Sequence, residues 1–252
     1  ALIWETWKKK SLMTMNNAVL ITAAGSSQRF GEKKEYLPLN AGVNQHTADT
    51  HTTVLSASLS AFVEAGLFSY YVITVPQREI ETVYSLLASD TELQPFLRTQ
   101  RDRLIIVEGG ASRQASVYHG LRILAERAQD IDSVLVHDGA RPWISAGLIT
   151  AVLEATKKYG AAVPAISVTD TQKEVDDNGK IIRHLRRDRL AAIQTPQGFP
   201  FAQLLAAHRT AENDGIVYTD DSEIYAKYCE PGYICPGSRK NKKITYREDL
   251  MI

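Results

Sequence analysis

The sequence predicts one α/β domain with a mostly parallel sheet, from which a charged β-hairpin stands apart. Short apolar runs of strand length alternate with segments of helical periodicity from Asn17 onward, the pattern of a parallel sheet covered on both faces. Residues 166–190 interrupt that rhythm with a polar stretch around Asp177-Asn-Gly179, a strong hairpin turn. The chain has 252 residues, 44% hydrophobic and 23% charged, which is enough for a sizeable core and argues against a disordered, collagen-like or coiled-coil chain.

The elements follow in order. Residues 1–16 read as a poorly ordered extension, with Met13 or Met15 as alternative starts. Its basic run Lys8-Lys-Lys10 comes after a short apolar patch, the reverse of a signal peptide. Ala18-Val-Leu-Ile-Thr22 is a buried first strand that ends in a glycine-containing loop. Val54 to Ala65 has helical spacing and stops before Gly66, and Tyr70 to Val75 is a second strand stopped by Pro76. Arg103 to Val107 is a third strand, followed by a helix from Ser112 to Ala128 with Leu121, Leu124 and Ala125 on one face. Ser133 to His137 is a fourth strand and Ser145 to Lys158 the next helix. The hairpin runs out along Ser167 to Val175 and back along Lys180 to Leu185. A two-stranded ribbon is barely stable alone in water, so it needs a surface to lie on, and a second subunit is the candidate. Beyond it come a strand to Thr195, a helix entered at Pro200, a helix from Asp221 to Tyr228, short strands near Ile234 and Ile244, and a closing helix from Tyr246. Nothing divides residues 17–252 into two domains.

Charge and composition exclude several classes. Lysine plus arginine (29) cancels aspartate plus glutamate (29), so no global field draws the chain to nucleic acid or an acidic membrane. No run approaches the roughly 18 apolar residues of a membrane span. Cys229 and Cys235 match neither a CxxC motif nor a disulfide framework, which fits a reducing cytoplasm; a plastid-type location stays open. An RNA-binding protein using the basic hairpin and Arg239-Lys-Asn-Lys-Lys243 is a rival from another class. Zero net charge and the lack of an aromatic stacking array count against it.

The chemistry concentrates in the first loop, Ala23-Ala-Gly-Ser-Ser-Gln-Arg-Phe-Gly-Glu-Lys-Lys-Glu35. It follows a buried strand, and open α/β sheets place their ligands at strand C-termini. Small residues let backbone N–H groups approach an anion, and Arg29 with Lys34 adds two cations, a combination suited to a polyphosphate. The loop is neither a Walker A sequence nor a GxGxxG fingerprint. By itself it reads more readily as an ordinary turn with a solvated face than as a binding loop.

It has company. Ala23-Ala-Gly25, Arg29 and Lys34-Glu-Tyr-Leu37 resemble the signature of sugar-nucleotide-type nucleotidyltransferases. Gly109-Gly-Ala-Ser-Arg-Gln-Ala-Ser-Val117, Val136-His-Asp-Gly-Ala-Arg-Pro142, Thr169-Asp-Thr-Gln-Lys173, Thr195-Pro-Gln197, Thr219-Asp-Asp221 and Lys243 to Leu250 then recur in order. Together they resemble the 2-C-methyl-D-erythritol 4-phosphate cytidylyltransferase family of the non-mevalonate isoprenoid pathway, over Asn17 to Ile252. The chain departs from many members at Ser27 (often glycine), Phe30 (often methionine), Lys33-Lys34-Glu35 (often proline-lysine-glutamine) and Gly139 (often alanine). A one-residue shift would make Lys33 the functional lysine instead of Lys34. The segment 40–52 is longer and more polar than usual, implying a surface excursion.

The resemblance implies a single Rossmann-like nucleotidyltransferase domain that dimerises through the hairpin arm, and a reaction joining the 4-phosphate of methylerythritol phosphate to the α-phosphorus of CTP. Arg29 and Lys34 would stabilise the triphosphate charge. Ala23, Ala24, Gly25, Ser26 and Ser27 would wrap the nucleotide, with Gly110, Ala111, Arg113 and Ser116 at its base and ribose. Asp138, Gly139, Arg141, Thr171, Arg187, Thr195, Thr219 and Lys243 would surround the acceptor. Ser116, Thr195 and the Asp138–Arg141 pair each have a structural reading as well: a residue of a capped helix N-terminus, a strand end and a surface salt bridge. Magnesium, or another divalent cation, would be bound mainly through the CTP phosphates, with no protein ligand named. His119 and His208 read as helix residues without a role. The nearest rival is a cytidylyltransferase for ribitol 5-phosphate, which would share the nucleotide half of the site.

Overall fold

Ala18-Val-Leu-Ile21 is fully buried, so strand β1 (Asn17–Thr22) runs through the middle of the molecule with apolar matter on both faces. The computed structural model describes residues 16–25, 27, 30–39 and 52–251. The N-terminal extension up to residue 15 and nearly all of the polar segment 40–52 lie outside them.

Helix α1 (Val54–Ala65) begins at a reciprocal cap between Thr53 and Ser56 and ends at Gly66, whose φ of 65° is the left-handed conformation that glycine adopts readily. It leads into β2 (Tyr70–Val75), and helices α2 (Ile80–Ser89) and α3 (Gln94–Thr99) lead on to β3 (Leu104–Glu108). The Ser112 side chain caps α4 (Arg113–Arg127), which precedes β4 (Ser133–Asp138); Ser145 caps α5 (Ala146–Tyr159) in the same way. Strand β1 pairs in parallel with β2 on one side and β4 on the other, and β3 pairs in parallel with β2.

The second half completes the sheet less regularly. β5 (Ala162–Ser167) is followed by a two-stranded ribbon, β6 (Lys173–Val175) and β7 (Ile181–His184), then β8 (Ala191–Ile193) and β9 (Gln197–Pro200). Helices α6 (Phe201–Asp214) and α7 (Asp221–Tyr228) and strand β10 (Tyr233–Pro236) close the chain. The main sheet has the order β3-β2-β1-β4-β9-β5-β10, with β8 on β5. It is mixed: β9 runs antiparallel to both β4 and β5, and β8 antiparallel to β5. One apolar layer packs α1, α2 and α5 on one face, and the other packs α4, α6 and Tyr225 of α7 on the opposite face.

Chain order reverses between β1 and β4, so the crevice at their C-terminal ends is the switch point where such sheets take ligands.

The ribbon is shorter than the sequence suggests. Residues up to Ser167 join the main sheet as β5, because Ala162 to Ala165 are buried beside β9 and β10. The ribbon turn is built by Asp176, whose carboxylate accepts from the N–H groups of Asn178 and Lys180, with Gly179 at φ 81°. Every residue of β6 and β7 is exposed. The strand expected near Ile244 is instead a single hydrogen bond from its N–H to the Ala140 carbonyl, with the side chain buried against Phe30 and Val54. The closing helix is a 3₁₀ turn, Arg247–Met251.

Candidate active site

The loop after β1 folds back on a lysine. Nζ of Lys33 donates to the carbonyls of Ala23 (2.5 Å) and Gly25 (2.6 Å) and lies 3.5 Å from the Glu35 carboxylate. Glu35 also accepts from the hydroxyl of Ser27, a residue at φ 51°. Burial lowers the pKa of Lys33. With those carbonyls turned inward onto one cation, Lys33 organises the loop, and its neighbour Lys34, in a short 3₁₀ turn, is the lysine that lines the adjoining cavity.

The turn between β3 and α4 presses against this loop and is glycine for steric reasons. A Cβ on Gly109 would stand 2.4 Å from the Ala24 Cβ, and one on Gly110 would stand 2.4 Å from the Ala115 Cβ. Ser116 accepts from the Gly110 N–H at 3.1 Å and donates to the Ser112 carbonyl at 2.8 Å, so its hydroxyl shapes the turn that it shares with the cavity.

Asp138, the last residue of β4, is the electrostatic centre. Lys243 approaches its carboxylate at 2.8 Å, and Arg113 and Arg141 each at 3.5 Å. Burial opposes its charge, but these cations, Lys243 first, hold its pKa far below the usual carboxylate range. The carboxylates of Asp221 and Asp138 likewise overcome the burial of Arg113 and push its pKa above the ordinary guanidinium range.

Beneath Asp138 lies a buried network. The hydroxyl of Thr195 accepts from the Asp138 N–H at 3.0 Å, leaving its own proton for Nδ1 of His137 at 3.2 Å; Nε2 of His137 then donates to the Arg141 carbonyl, also 3.2 Å away. That arrangement is a neutral imidazole, and burial takes its pKa down to about 4. Arg141 donates to the Asn241 carbonyl and Asn241 to the Thr195 carbonyl, knitting the segment that delivers Lys243 onto the sheet.

These parts enclose a cavity of about 600 Å³. Of the residues singled out from sequence, Ala24, Gly25, Ser27, Lys34, Gly110, Ala111, Arg113, Ser116, Asp138 and Lys243 line it. Ala23, Gly139, Arg141 and Thr195 are buried behind its wall. A Cβ on Gly139 would meet the Thr22 carbonyl at 3.1 Å, a tight fit that a shift of a few tenths of an ångström would relieve. Ser26 and Arg29 lie outside the described residues. Thr171, Arg187 and Thr219 are exposed and do not line the cavity: Arg187 bonds the Thr169 carbonyl and Thr219 bonds Glu223. The sequence reading missed Thr22, Phe30, Glu35, Ser112 and Ala140 on the wall, though each sits next to a chosen residue. His208, read from sequence as a helix residue without a role, does lie in α6, where it is buried and bonded to Asp221, the carboxylate partner of Arg113.

The family model for 2-C-methyl-D-erythritol 4-phosphate cytidylyltransferase matches residues 17–252. The chain belongs to that family. A cytidylyltransferase of this description from Bacillus cytotoxicus is 35% identical over 234 residues, covering 93% of this chain and 94% of the relative. The solved structure of the Thermus thermophilus cytidylyltransferase is 30% identical with a TM-score of 0.69, covering 94% of this chain and 96% of that one. The Francisella tularensis structure is 28% identical with a TM-score of 0.72 and coverages of 93% and 96%. The chain is thus a nucleotidyltransferase enzyme of CTP-dependent cytidylyl transfer in isoprenoid biosynthesis. Among the described residues no helix is long and apolar enough to cross a membrane.

Proposed function

We propose that the cavity between β1 and β4 binds CTP and that the chain transfers CMP to the 4-phosphate of 2-C-methyl-D-erythritol 4-phosphate. A phosphate oxygen of the acceptor attacks the α-phosphorus of CTP, and the bond from that phosphorus to the bridging oxygen breaks. Pyrophosphate leaves with the electron pair. The attacking oxygen is already anionic, so catalysis needs positioning and charge neutralisation and no activated serine, cysteine or base. The observation that carries the reading is the convergence of Arg113, Arg141 and Lys243 on Asp138 beside Lys34 and a loop of small residues.

Lys34, with Arg29, stabilises the triphosphate charge. The loop Ala23 to Ser27 wraps the phosphates, and Gly110, Ala111, Arg113 and Ser116 take the base and ribose. Asp138, Gly139, Arg141, Thr195 and Lys243 form the acceptor side, with Lys243 on its phosphate. Thr171 and Arg187 stand exposed on the arm formed by residues 166–190, and they serve the acceptor when that arm crosses to a second copy of the chain, giving a homodimer, while Thr219 comes to the acceptor from the C-terminal half.

Among the described residues no three metal-ligating side chains converge. The cavity wall nevertheless offers carboxylate oxygens from Asp138 and Glu35, the hard donors that suit magnesium. A magnesium ion carried on the triphosphate would be held by Asp138. When bound, such an ion neutralises phosphate charge and aligns the leaving group. The cytoplasm is the compartment that suits two free cysteines.

Pyrophosphate release tests the reading, with methylerythritol phosphate and ribitol 5-phosphate as alternative acceptors and CTP, UTP and ATP as alternative donors. Turnover of CTP with methylerythritol phosphate is expected. Preference for ribitol phosphate would overturn the acceptor assignment, and equal use of UTP would overturn the base site.

A further inference from the structure

The reaction above uses no histidine, yet His208 of α6 is fully buried within reach of the site. Its Nε2 stands 3.1 Å from Oδ1 of Asp221, the first residue of α7, and that carboxylate is fully buried too. The other carboxylate oxygen, Oδ2, lies 2.7 Å from Nη2 of Arg113. Arg113 opens α4 and lines the cavity, where its Nε approaches Asp138 at 3.5 Å. Three helices therefore meet through one chain of polar atoms that ends on the cavity wall.

The chemistry gives this chain a direction. Burial opposes the charge of Asp221, but Arg113 and then His208 outweigh it, so its pKa lies below the ordinary value. An ionised carboxylate only accepts, which makes Nε2 of His208 the donor. Its Nδ1 is buried with no hydrogen-bond partner among the described residues. That suits a nitrogen bearing a lone pair, since a buried unsatisfied N–H costs more. The ring plane is set by Tyr118, stacked on it at a centroid distance of 6.4 Å and an angle of 12°. Oδ2 of Asp221 is held to Arg113 as an ion pair with no hydrogen bond of its own, so without the His208 donor neither oxygen of this buried carboxylate would be hydrogen-bonded, and it could rotate off Arg113.

We propose that His208 is a positioning residue for nucleotide binding: through Asp221 it holds the Arg113 guanidinium against the CTP cavity. The inference rests on reading that cavity as the CTP site. His208 touches no substrate, so its effect must pass through Arg113.

The test is steady-state kinetics in CTP, at saturating acceptor, for wild type, His208→Leu, His208→Gln, Arg113→Ala and the His208→Leu/Arg113→Ala pair. Leucine removes the donor, whereas the amide nitrogen of glutamine reaches close to the place of Nε2. His208→Leu is expected to raise the KM for CTP about ten- to a hundredfold, the loss of one hydrogen bond to a charged group, with a smaller change in kcat. His208→Gln should restore most of it, and His208→Leu should add nothing once Arg113 is alanine. An unchanged KM in folded His208→Leu, or an equal rise with and without Arg113, overturns the proposal alone. An unchanged KM in Arg113→Ala overturns the reading of the cavity, and the proposal with it. Should His208→Leu fail to fold, His208→Asn against His208→Gln decides: the shorter amide cannot reach Asp221, so equal KM values for the two overturn the proposal.

Discussion

Lys33 and Lys34 are adjacent in sequence and do different work, so alanine at each position gives opposite expectations. Lys34 is 8% exposed on the cavity wall. Removing a cation aimed at transition-state charge costs about 10²–10³ in rate, roughly 3–4 kcal/mol, so Lys34→Ala should lose most of kcat while staying folded. Lys33 bonds the carbonyls of Ala23 and Gly25 at 2.5 and 2.6 Å, with its side chain 20% exposed. Hydrogen bonds to a charged group are worth about 1.5–3 kcal/mol each, but water can reach these carbonyls once the lysine is gone, leaving a net cost of roughly 2 kcal/mol. That cost falls on loop order. Lys33→Ala should therefore raise the KM for CTP and lower Tm, with kcat nearly intact. Pyrophosphate release at saturating CTP and acceptor, with thermal denaturation of each variant, reads all three quantities. If Lys33→Ala loses the larger share of kcat, the loop is aligned one residue out and Lys33 is the functional lysine.

Other expectations follow from the same geometry. In a mixture of Lys34→Ala and Arg187→Ala chains, each inactive alone, activity should return if Arg187 acts across a dimer interface, because one site of each mixed dimer then has neither defect. No recovery after subunit exchange has been demonstrated would refute the shared site. Gly109→Ala should leave the fold intact but raise the KM for CTP, since its Cβ would drive the first loop off by way of Ala24; unchanged kinetics would mean that this contact does not shape the site. The pKa of Asp138 is depressed in the fold, so its contribution to stability is present above about pH 4 and lost only as pH falls towards the folded value. The Tm gap between wild type and Asp138→Asn should accordingly be wide at pH 7 and close in strong acid. His137 has its pKa lowered from 6.5 to about 4, so stability is full above pH 6.5 and falls between those values as the unfolded chain takes up the proton first. Urea titrations at pH 7 and pH 5 should show that drop in wild type and much less of it in His137→Gln.

The elements most legible in the sequence are those whose side chains alone decide their state. β1, α1 and β2 are apolar runs of strand or helix length closed by Gly25, Gly66 and Pro76, and they form where expected. β9 was not legible. Its four residues, Gln197-Gly-Phe-Pro200, look like a turn, and they are a strand only because β4 and β5 flank them and Phe199 is fully buried between the layers. α2 went unnoticed because only Val83 and Leu87 of its ten residues are buried. The site divides in the same way. Loop and strand-end residues such as Gly25, Lys34, Gly110 and Asp138 occur in local motifs and gather at one cavity. Their supports come from distant elements: His208 and Asp221 lie on α6 and α7, and Gln194 and Asn241 tie down the segment carrying Lys243. No local pattern reveals a pairing that only the tertiary fold creates. Arg187 and Thr171 are the reverse case, prominent in sequence yet exposed and not part of the cavity wall of their own chain.

Phosphorus NMR of the purified protein with CTP, methylerythritol phosphate and magnesium measures the central chemistry directly. The expected spectrum loses the triphosphate and acceptor phosphate signals and gains a diphosphate diester and inorganic pyrophosphate in equal amounts, with Lys34→Ala nearly silent. A spectrum in which CTP goes to CDP and phosphate, or in which the acceptor phosphate stays unchanged while CTP is consumed, would contradict cytidylyl transfer at this site.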